Sequence, residues 1–158
     1  MKKIVLLPAL AIALFLAGTA TAQEVSGLDK DITEKEVPAA VMKTFKAKYP
    51  NQKVDKWEQK AGNFEADFTK DGKFCELAIK ADGSWIEFET KIEKGDVPKA
   101  VLDAHAKSKY KDWAFDHAEE VKTPKHDKLY EVTVKKGKDM MGLYFTPDGK
   151  TLVREEKD

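Results

Sequence analysis

The sequence predicts an α+β fold of two tandem repeats, each a helix packed on a four-stranded antiparallel β-meander. The spacing of apolar residues changes from near four to two after each of two short helical segments, as expected where a helix is followed by strands. Asp-Gly dipeptides separate the alternating runs, which is typical of tight hairpins. The pattern Val-Pro-x-Ala-Val at residues 37–41 recurs at 97–101, and such self-similarity indicates repeated units.

Residues 1–22 have the three regions of a cleavable secretory signal. Lys2 and Lys3 precede an apolar run at 4–17, and small residues lead to Ala22, the order that signal peptides show. The alternative is a retained membrane helix, but a span needs about 20 apolar residues. We therefore predict cleavage after Ala22 and a periplasmic or secreted protein that does not stay inserted in the membrane.

Residues 23–36 form an N-terminal segment, and repeat 1 covers residues 37–92. Its helix begins at Pro38, because proline suits the first turn, where its missing N–H is not needed. Tyr49-Pro50 ends the helix, since proline interrupts helical hydrogen bonding. The apolar stripe of this helix consists of Val41, Met42 and Phe45. Alternation then predicts strands at 53–59, 63–70, 73–81 and 84–92.

Repeat 2 covers residues 97–158 and follows the same order. Val101 and Leu102 repeat the apolar stripe, and His105 stands where repeat 1 has Phe45. Alternation predicts strands at 113–122, 128–136, 139–146 and 150–155. Strands joined by such short turns are antiparallel. We expect the two sheets to join edge to edge, so that they form one curved surface with both helices behind it. Because the linking segment 91–96 is short, we do not expect the two repeats to move independently.

Charge is balanced over the chain, which has 28 Lys and Arg residues against 28 Asp and Glu residues. Removal of Lys2 and Lys3 with the signal leaves 26 basic residues, and the two signs are interleaved. Nucleic-acid binding requires clustered positive charge. The composition therefore predicts no nucleic-acid partner.

No metal-binding or reactive-cysteine pattern is present. His105, His117 and His126 fall on a helix, a strand and a turn without a short ligand spacing, so we predict structural histidines and no metal. Cys75 lies in the alternating run Cys-x-Leu-x-Ile, which favours a small buried hydrophobe. A reactive thiol or an intermolecular bridge is the alternative for this single cysteine.

Carboxylate pairs project to one face of their strands but do not by themselves indicate catalysis. Glu65 with Asp67 and Glu87 with Glu89 have the spacing of two residues that places both on one face. Such pairs catalyse reactions only inside a dry cleft that shifts their pKa values. No Gly-x-Ser-x-Gly motif or phosphate-binding glycine loop is present. We predict no catalytic residues and no cofactor.

Large aromatic residues are the candidate binding site. Alternation directs Phe64, Phe68 and Leu77 toward the helix, and it assigns Trp57, Phe74, Trp85 and Tyr144 to the open face of the sheet. The same alternation places Glu76 on the open face. Exposed aromatic side chains ringed by charge are typical of protein-binding hot spots. The alternative is that these rings pack against the other repeat or under a loop.

The residues of the helix and turns resemble a known family. Val37-Pro38-x-x-Val41 with Phe45 and Tyr49-Pro50, followed by the Asp-Gly hairpins, is similar to the PepSY-like, β-lactamase-inhibitor-protein-like secreted domains of Bacteroidetes. The resemblance covers residues 37–155. It implies a non-enzymatic fold, and in the β-lactamase inhibitor protein the open sheet face binds the target.

The sequence therefore predicts a secreted or periplasmic binding module that is not an enzyme. We expect it to bind another envelope or secreted protein through the open sheet face. The more specific form of this prediction is that it inhibits an envelope enzyme. The alternative function is a periplasmic carrier of a small ligand or ion, which requires a pocket between helix and sheet.

Overall fold

The computed structural model describes residues 30–157, which form one antiparallel sheet and two α-helices. The strands are β1 (Lys30–Ile32), β2 (Lys56–Lys60), β3 (Asn63–Lys70), β4 (Lys73–Ile79), β5 (Trp85–Ile92), β6 (Ala114–Lys122), β7 (Leu129–Lys136), β8 (Asp139–Phe145) and β9 (Leu152–Lys157). The helices are α1 (Ala39–Lys48) and α2 (Lys99–Lys107), preceded by short 3-10 turns at Glu34–Glu36 and Lys94–Asp96. The expected signal segment and its cleavage point lie outside the described residues.

The α+β class is confirmed, and the strands of the two predicted repeats join edge to edge, as expected, in one sheet rather than in two separate meanders. Strands β5 and β6 pair from Phe88 opposite Lys122 to Ile92 opposite Ala118. All described strands therefore belong to one nine-stranded sheet in sequence order, which also includes β1. The physical reason is that pairing β5 with β6 removes two exposed edges, whose unpaired N–H and C=O groups invite association. The tandem repeat itself remains a prediction from the sequence.

The bounds of α1 follow from its two prolines. Pro38 caps the N-terminus, and its C=O accepts the first helical hydrogen bond from Met42 N at 3.0 Å. At the other end Tyr49 N donates to Phe45 O at 2.8 Å, and Pro50 follows directly. Because proline has no N–H to donate, the helix cannot continue past this point.

Both helices cover the same face of the sheet. Phe88 and Ile92, four residues apart on β5, project to one face; Phe88 packs against the core under α1, and Ile92 packs against the core under α2. The first core contains Val37, Val41, Phe45, Trp57, Phe64, Ala66, Phe68, Cys75, Leu77 and Ile79. The second contains Val97, Val101, Ala118, Val132, Val134, Leu143 and Phe145. The opposite face carries no helix within residues 30–157.

Glycine turns hold the helices against the sheet. The turn after β4 places Gly83, with φ +88°, against Ala40 O of α1, and Thr44 Oγ1 donates to Gly83 O at 2.6 Å. The turn after β8 places Gly149, with φ +66°, against Ala100 O of α2. A side chain at either glycine would meet the helix backbone. Each hairpin thus fixes the distance between its helix and the sheet.

The open face of the sheet is concave. Arg154 of β9 donates to Glu87 of β5 at 2.8 Å, although three strands lie between them. Neighbouring strands are about 4.8 Å apart, so β5 and β9 would be ~19 Å apart in a flat sheet. The two side chains together do not reach that far. The sheet therefore curls toward its helix-free side, which we call the concave face.

Candidate functional site

Trp57 lies in the helix-side core, so its expected place on the open face is corrected. Its side chain is 5% exposed, and its ring packs edge-on against Phe45 of α1 with centroids 5.6 Å apart. The strand register explains the difference, because Trp57 stands opposite Ala66, which is fully buried under α1. Residues directly opposite each other in a sheet project to the same face.

Trp85 also lies on the helix side, contrary to the expectation from alternation. A register shift between Ala78 and Ile79 places Trp85 opposite Ile79, a fully buried residue of the helix-side core. A β-bulge inserts one unpaired residue and so reverses the faces beyond it. Lys48 Nζ of α1 lies 4.0 Å from the centre of the Trp85 ring, which confirms the side on which the ring sits.

Tyr144 and Phe74 lie on the concave face, but with different accessibility. Tyr144 is only 4% exposed, because the Arg154 guanidinium stacks on its ring at 3.7 Å and Val121 and Leu129 pack beside it. Phe74 is 40% exposed near the end of β4. The structure therefore brings none of the four expected anchors into a common exposed patch, and only Phe74 is available for contact in the form predicted.

The concave face is lined by acidic side chains that stand opposite one another. Three sets of neighbours in register are Asp67 with Glu76 and Glu89, Glu58 with Glu65, and Glu119 with Glu131. Like charges directly opposite in a sheet destabilise the fold. Folding alone therefore does not explain this arrangement.

Lysines compensate the acidic residues at the β2–β3 end of the face, which we call the peripheral cluster (Glu58, Glu65 and Asp67). Lys56 Nζ lies 2.8 Å from Glu58 Oε1, and Lys60 Nζ lies 3.0 Å from Glu65 Oε1 and 3.6 Å from Glu58 Oε2. Two ammonium groups thus stand among three carboxyl groups. This part of the face carries most of its own counter-charge.

The central cluster, formed by Glu76, Glu89 and Glu119 on β4, β5 and β6, has no such cations. One carboxylate oxygen from each residue lies within 4.8 Å of the others. Within residues 30–157 no Lys, Arg or His forms an ion pair with any of the three. Glu89 Oε1 has no accessible surface and no hydrogen-bond partner. These three carboxyl groups therefore have no paired ammonium, guanidinium or imidazole group among the described residues, although the charges of His117 and Lys91 act to lower the pKa of Glu119.

The pKa values of these carboxyl groups are raised because ionisation is unfavourable in this environment. Burial, followed by the charges of Glu65 and Glu58, raises the pKa of Asp67 to about 6. Burial, a hydrogen bond to Glu65 and neighbouring carboxylates raise the pKa of Glu76 to about 9. Burial likewise raises the pKa of Glu89 and of Glu119. A bound cation would reverse these shifts by stabilising the charged forms.

Gly142 makes room for a further buried carboxyl group on this face. Glu131 is 4% exposed and accepts a hydrogen bond from Thr133 Oγ1 at 3.2 Å. Its Oε1 lies against Gly142, where a Cβ would collide with it. The glycine thus permits Glu131 to lie flat on the sheet beside Tyr144.

A cavity of about 670 Å³ lies over the acidic residues of the concave face, with Lys60, Glu76, Glu89, His117, Glu119 and Tyr144 in its wall. A second cavity of about 540 Å³ lies at the end of β5, between Trp85, Pro124 and Val153. Neither is located between helix and sheet, where a small-ligand carrier was expected to have its pocket.

The three histidines do not form a common site. His105 Nε2 lies 3.1 Å from Tyr110 O, His117 Nδ1 lies 2.8 Å from Asp116 Oδ2, and His126 Nδ1 lies 3.4 Å from Thr123 Oγ1. Each thus has its own local partner. Cys75 is 2% exposed in the helix-side core, as the alternating pattern predicted, and burial raises the pKa of its thiol.

Sequence reasoning identified the acidic face in repeat 1 but not all of its centre. Glu65, Asp67, Glu76, Glu87 and Glu89 were placed on one face by alternation, whereas Glu119 was not assigned. The same alternation in β6, where Ala118 and Glu119 are neighbours, contained the signal. What it did not contain was the pairing register that brings the acids of β3 to β6 around one cavity.

Several solved structures of Bacteroides proteins are similar to this chain over about three quarters of its length. A BLIP-like protein from Bacteroides fragilis is 32% identical, with 76% of this chain and 86% of that chain covered at a TM-score of 0.59. A DUF2874 family protein from Bacteroides uniformis is 26% identical, with 76% and 88% covered at 0.62. A structure from Bacteroides eggerthii, described as putative periplasmic proteins, is 25% identical, with 77% and 88% covered at 0.61. No match is found among the curated proteins.

The described helices are too short to cross a bilayer, since α1 and α2 have 10 and 9 residues and a span needs about 20.

The family described as beta-lactamase-inhibitor-like and PepSY-like matches residues 20–80 and 62–152. These two matches together cover most of the sequence, as the resemblance of its helix and turn residues indicated. The chain belongs to this PepSY-like, beta-lactamase-inhibitor-like family.

Proposed function

We propose that the protein is a non-enzymatic binding module of the periplasm or cell exterior, which binds a basic surface of another protein through its concave face. The observation that carries the proposal is the row Asp67, Glu76 and Glu89, three acids side by side on an uncovered sheet. A partner that presents Lys or Arg would supply the missing positive charge. Such complementarity speeds association and excludes partners of the wrong charge.

The architecture supports a protein rather than a small molecule as the partner. The concave face extends over strands β3 to β9 and is held by continuous backbone pairing. A preformed surface loses little conformational freedom on binding. The family relationship supports the same reading, and inhibition of an envelope enzyme is its more specific form.

The chemistry of the face supports binding rather than catalysis. The carboxyl groups Asp67, Glu76, Glu89 and Glu119 all have raised pKa values, so every one of them is shifted toward its protonated form. In acid–base enzymes, by contrast, the pKa values of the two catalytic groups differ, so that one group is protonated and the other is ionised. The thiol of Cys75 lies on the opposite, helix-covered face.

The test is affinity capture from the native envelope fraction, with bound proteins quantified by mass spectrometry at low and high salt. We compare the native protein with a face variant, Glu65→Gln with Glu76→Gln and Glu87→Gln. The expected result is a salt-sensitive partner with a basic surface that the face variant captures at least about tenfold less, as the loss of several charge contacts predicts.

The matched control removes three acids from the helical segments, Glu34→Gln, Glu93→Gln and Asp103→Asn. It changes the net charge by the same amount but leaves the concave face intact. Capture should remain as for the native protein. If both variants lose capture equally, binding depends only on the net charge of the protein and not on the concave face. If no salt-sensitive partner is captured, the proposal is refuted.

A further inference from the structure

We propose that the central cluster binds one Ca²⁺ ion through the carboxylates of Glu76, Glu89 and Glu119. Their ligand oxygens lie within 4.8 Å of one another. Calcium binds oxygen at about 2.3–2.6 Å, so two ligands of one ion are at most ~5 Å apart. The three side chains, which come from adjacent strands β4, β5 and β6, thus have the separation that a shared first coordination shell requires.

A buried oxygen without a partner points to a missing cation. Glu89 Oε1 has no accessible surface and no hydrogen-bond partner within residues 30–157, and the Glu89 carboxyl group shares a hydrogen bond with Glu119 of the same cluster. Leaving a buried charged group unsatisfied costs more than the 1–3 kcal/mol typical of a neutral group. A metal ion would satisfy such oxygens.

The peripheral cluster shows how the protein compensates acids when it uses its own side chains. There Lys56 and Lys60 place ammonium groups 2.8–3.0 Å from Glu58 and Glu65. The central cluster has the same close carboxylates but no ammonium group at that distance. Because the two clusters share one face and one acid chemistry, the difference between them is the counter-ion. The central cluster is the one arranged for a cation from solution.

Calcium fits the cluster better than magnesium or a proton. Three carboxylates on a sheet give an irregular oxygen site, which Ca²⁺ accepts because its geometry is flexible, whereas Mg²⁺ demands a near-ideal octahedron and keeps more water. Shared protons also relieve the repulsion, and the raised pKa values of Glu76, Glu89 and Glu119 describe that state. Calcium binding then releases protons, since carboxylate ligands must be ionised.

This inference goes beyond the proposed function and does not depend on it. It concerns the same face, but its test contains no partner protein. If calcium binds but no partner is captured, the calcium site is supported and the proposed function fails. If a partner is captured but calcium does not bind, the proposed function is supported and the calcium site fails. Of the residues varied in the capture experiment, Glu76 is one of the three ligands, whereas Glu65 and Glu87 are not. The calcium test therefore uses Glu89→Gln, which the capture variant does not contain.

The experiment is calorimetric titration of CaCl₂ into the chelator-treated full protein at pH 7.5, together with thermal melts in calcium and in magnesium. We expect one Ca²⁺ per chain with a dissociation constant of about 10⁻⁴–10⁻³ M, the range of extracellular calcium modules. Calcium should raise the melting temperature because it binds only the folded state, and magnesium should raise it less. Protons released on binding should change the heat between buffers of different ionisation enthalpy.

The variants Glu89→Gln and Glu58→Gln provide the comparison. Glu89→Gln removes a central ligand and relieves repulsion, so it should fold and bind calcium at least about tenfold more weakly. Glu58→Gln removes an acid of the peripheral cluster and should leave calcium affinity unchanged. The proposal is overturned if the native protein binds no calcium up to about 10 mM. It is also overturned if Glu89→Gln binds as the native protein does, or if Glu58→Gln loses binding to the same extent.

Discussion

The two faces of the nine-stranded sheet are made from alternate residues of the same strands and have opposite chemistry. On β4 the helix side carries Leu77, which is fully buried among apolar residues, and the next residue toward the concave face is Glu76. On β3 Ala66 and Asp67 show the same contrast. The helix side stabilises the fold by burying apolar surface, while the concave face opposes it through like charges. The two faces therefore act on stability with opposite sign, and the core offsets the repulsion between the acids of the concave face.

The largest effect should come from truncating an aromatic residue of the helix side. Trp57→Ala removes a ring that is 5% exposed and packed against Phe45. We expect the free energy of unfolding to fall by roughly 3–5 kcal/mol, since transfer and cavity terms add. Urea unfolding followed by circular dichroism measures it.

Phe74→Ala is the control from the concave face. Phe74 is 40% exposed, so the same truncation should change the free energy of unfolding by less than about 1 kcal/mol, as at most surface sites. Equal losses for Phe74→Ala and Trp57→Ala would contradict the contrast between the two faces.

The next prediction tests the contact between α2 and the hairpin that joins β8 to β9. In Gly149→Ala, with φ +66°, the added Cβ would run into Ala100 O of the helix backbone. We expect a loss of roughly 2–4 kcal/mol, because left-handed backbone strain and overpacking add. Thermal unfolding of the variant measures the loss.

Gly137→Ala provides a matched control for backbone strain. Gly137 has φ +65°, and nothing lies within 4 Å of the position a Cβ would take. The variant should lose only the conformational term, about 1–2 kcal/mol. If the two alanine variants lose the same stability, the contact of the hairpin with α2 contributes nothing.

A smaller effect of opposite sign is expected on the concave face. Glu76→Gln replaces a carboxyl group that faces Asp67 and Glu89 by a neutral amide of the same shape. In a chelator at pH 8 the variant should be more stable by roughly 1–3 kcal/mol, because the native carboxyl group, with a pKa of about 9, must take up a proton on folding, whereas the amide need not. Glu58→Gln should instead lower stability or leave it unchanged, since Glu58 is paired with Lys56. Stabilisation of both variants to the same extent would contradict the distinction between the clusters.

The smallest expected effect is a stability that rises toward mildly acid pH. The pKa of Asp67 is about 6 in the folded protein, against about 3.9 when unfolded, so the folded state binds more protons between these values. Stability from this group is therefore complete below pH ~4 and lost as the pH rises through 6. Glu76, with a pKa of about 9, extends the loss toward pH 9.

Calorimetric melts without calcium test this dependence. The melting temperature should be a few degrees higher at pH 5 than at pH 8, as a stability change of about 1 kcal/mol produces in a domain of this size. Acids with lowered pKa values, such as Asp116 at about 2, act below this window and do not mask it. If the melting temperature stays constant or falls when the pH is lowered from 8 to 5, repulsion between the carboxylates of the concave face does not lower the stability of the fold.

Much of the fold could be predicted because its signals are local. Pro38 and Tyr49-Pro50 set the bounds of α1. The Asp71-Gly72 hairpin has positive φ at both residues, 52° and 77°, as the tight turn that this dipeptide favours requires. The side of the sheet on which Glu76 and Glu89 lie also followed from alternation, because alternation is a property of each strand alone.

The candidate site could be predicted only in part because it depends on contacts between distant segments. The expected anchors Trp57 and Trp85 face the helices, since the register of β2 on β3 and the bulge on β5 decide their sides. A bulge or a one-residue shift reverses every later side chain of a strand. Tyr144 was placed on the correct face, but the cover that Arg154 provides comes from a neighbouring strand.

The sequence by itself determined that the chain has a helix-and-sheet fold of this family, that Cys75 is buried, and that acids alternate with apolar residues along the strands. Tertiary structure decided that β1 joins the sheet as a ninth strand, and that Glu76, Glu89 and Glu119 meet without a cation between them. The physical reason is the range of the forces involved. Propensity and alternation act within a few residues, whereas register, bulges and curvature are set by the pairing of segments far apart in the chain.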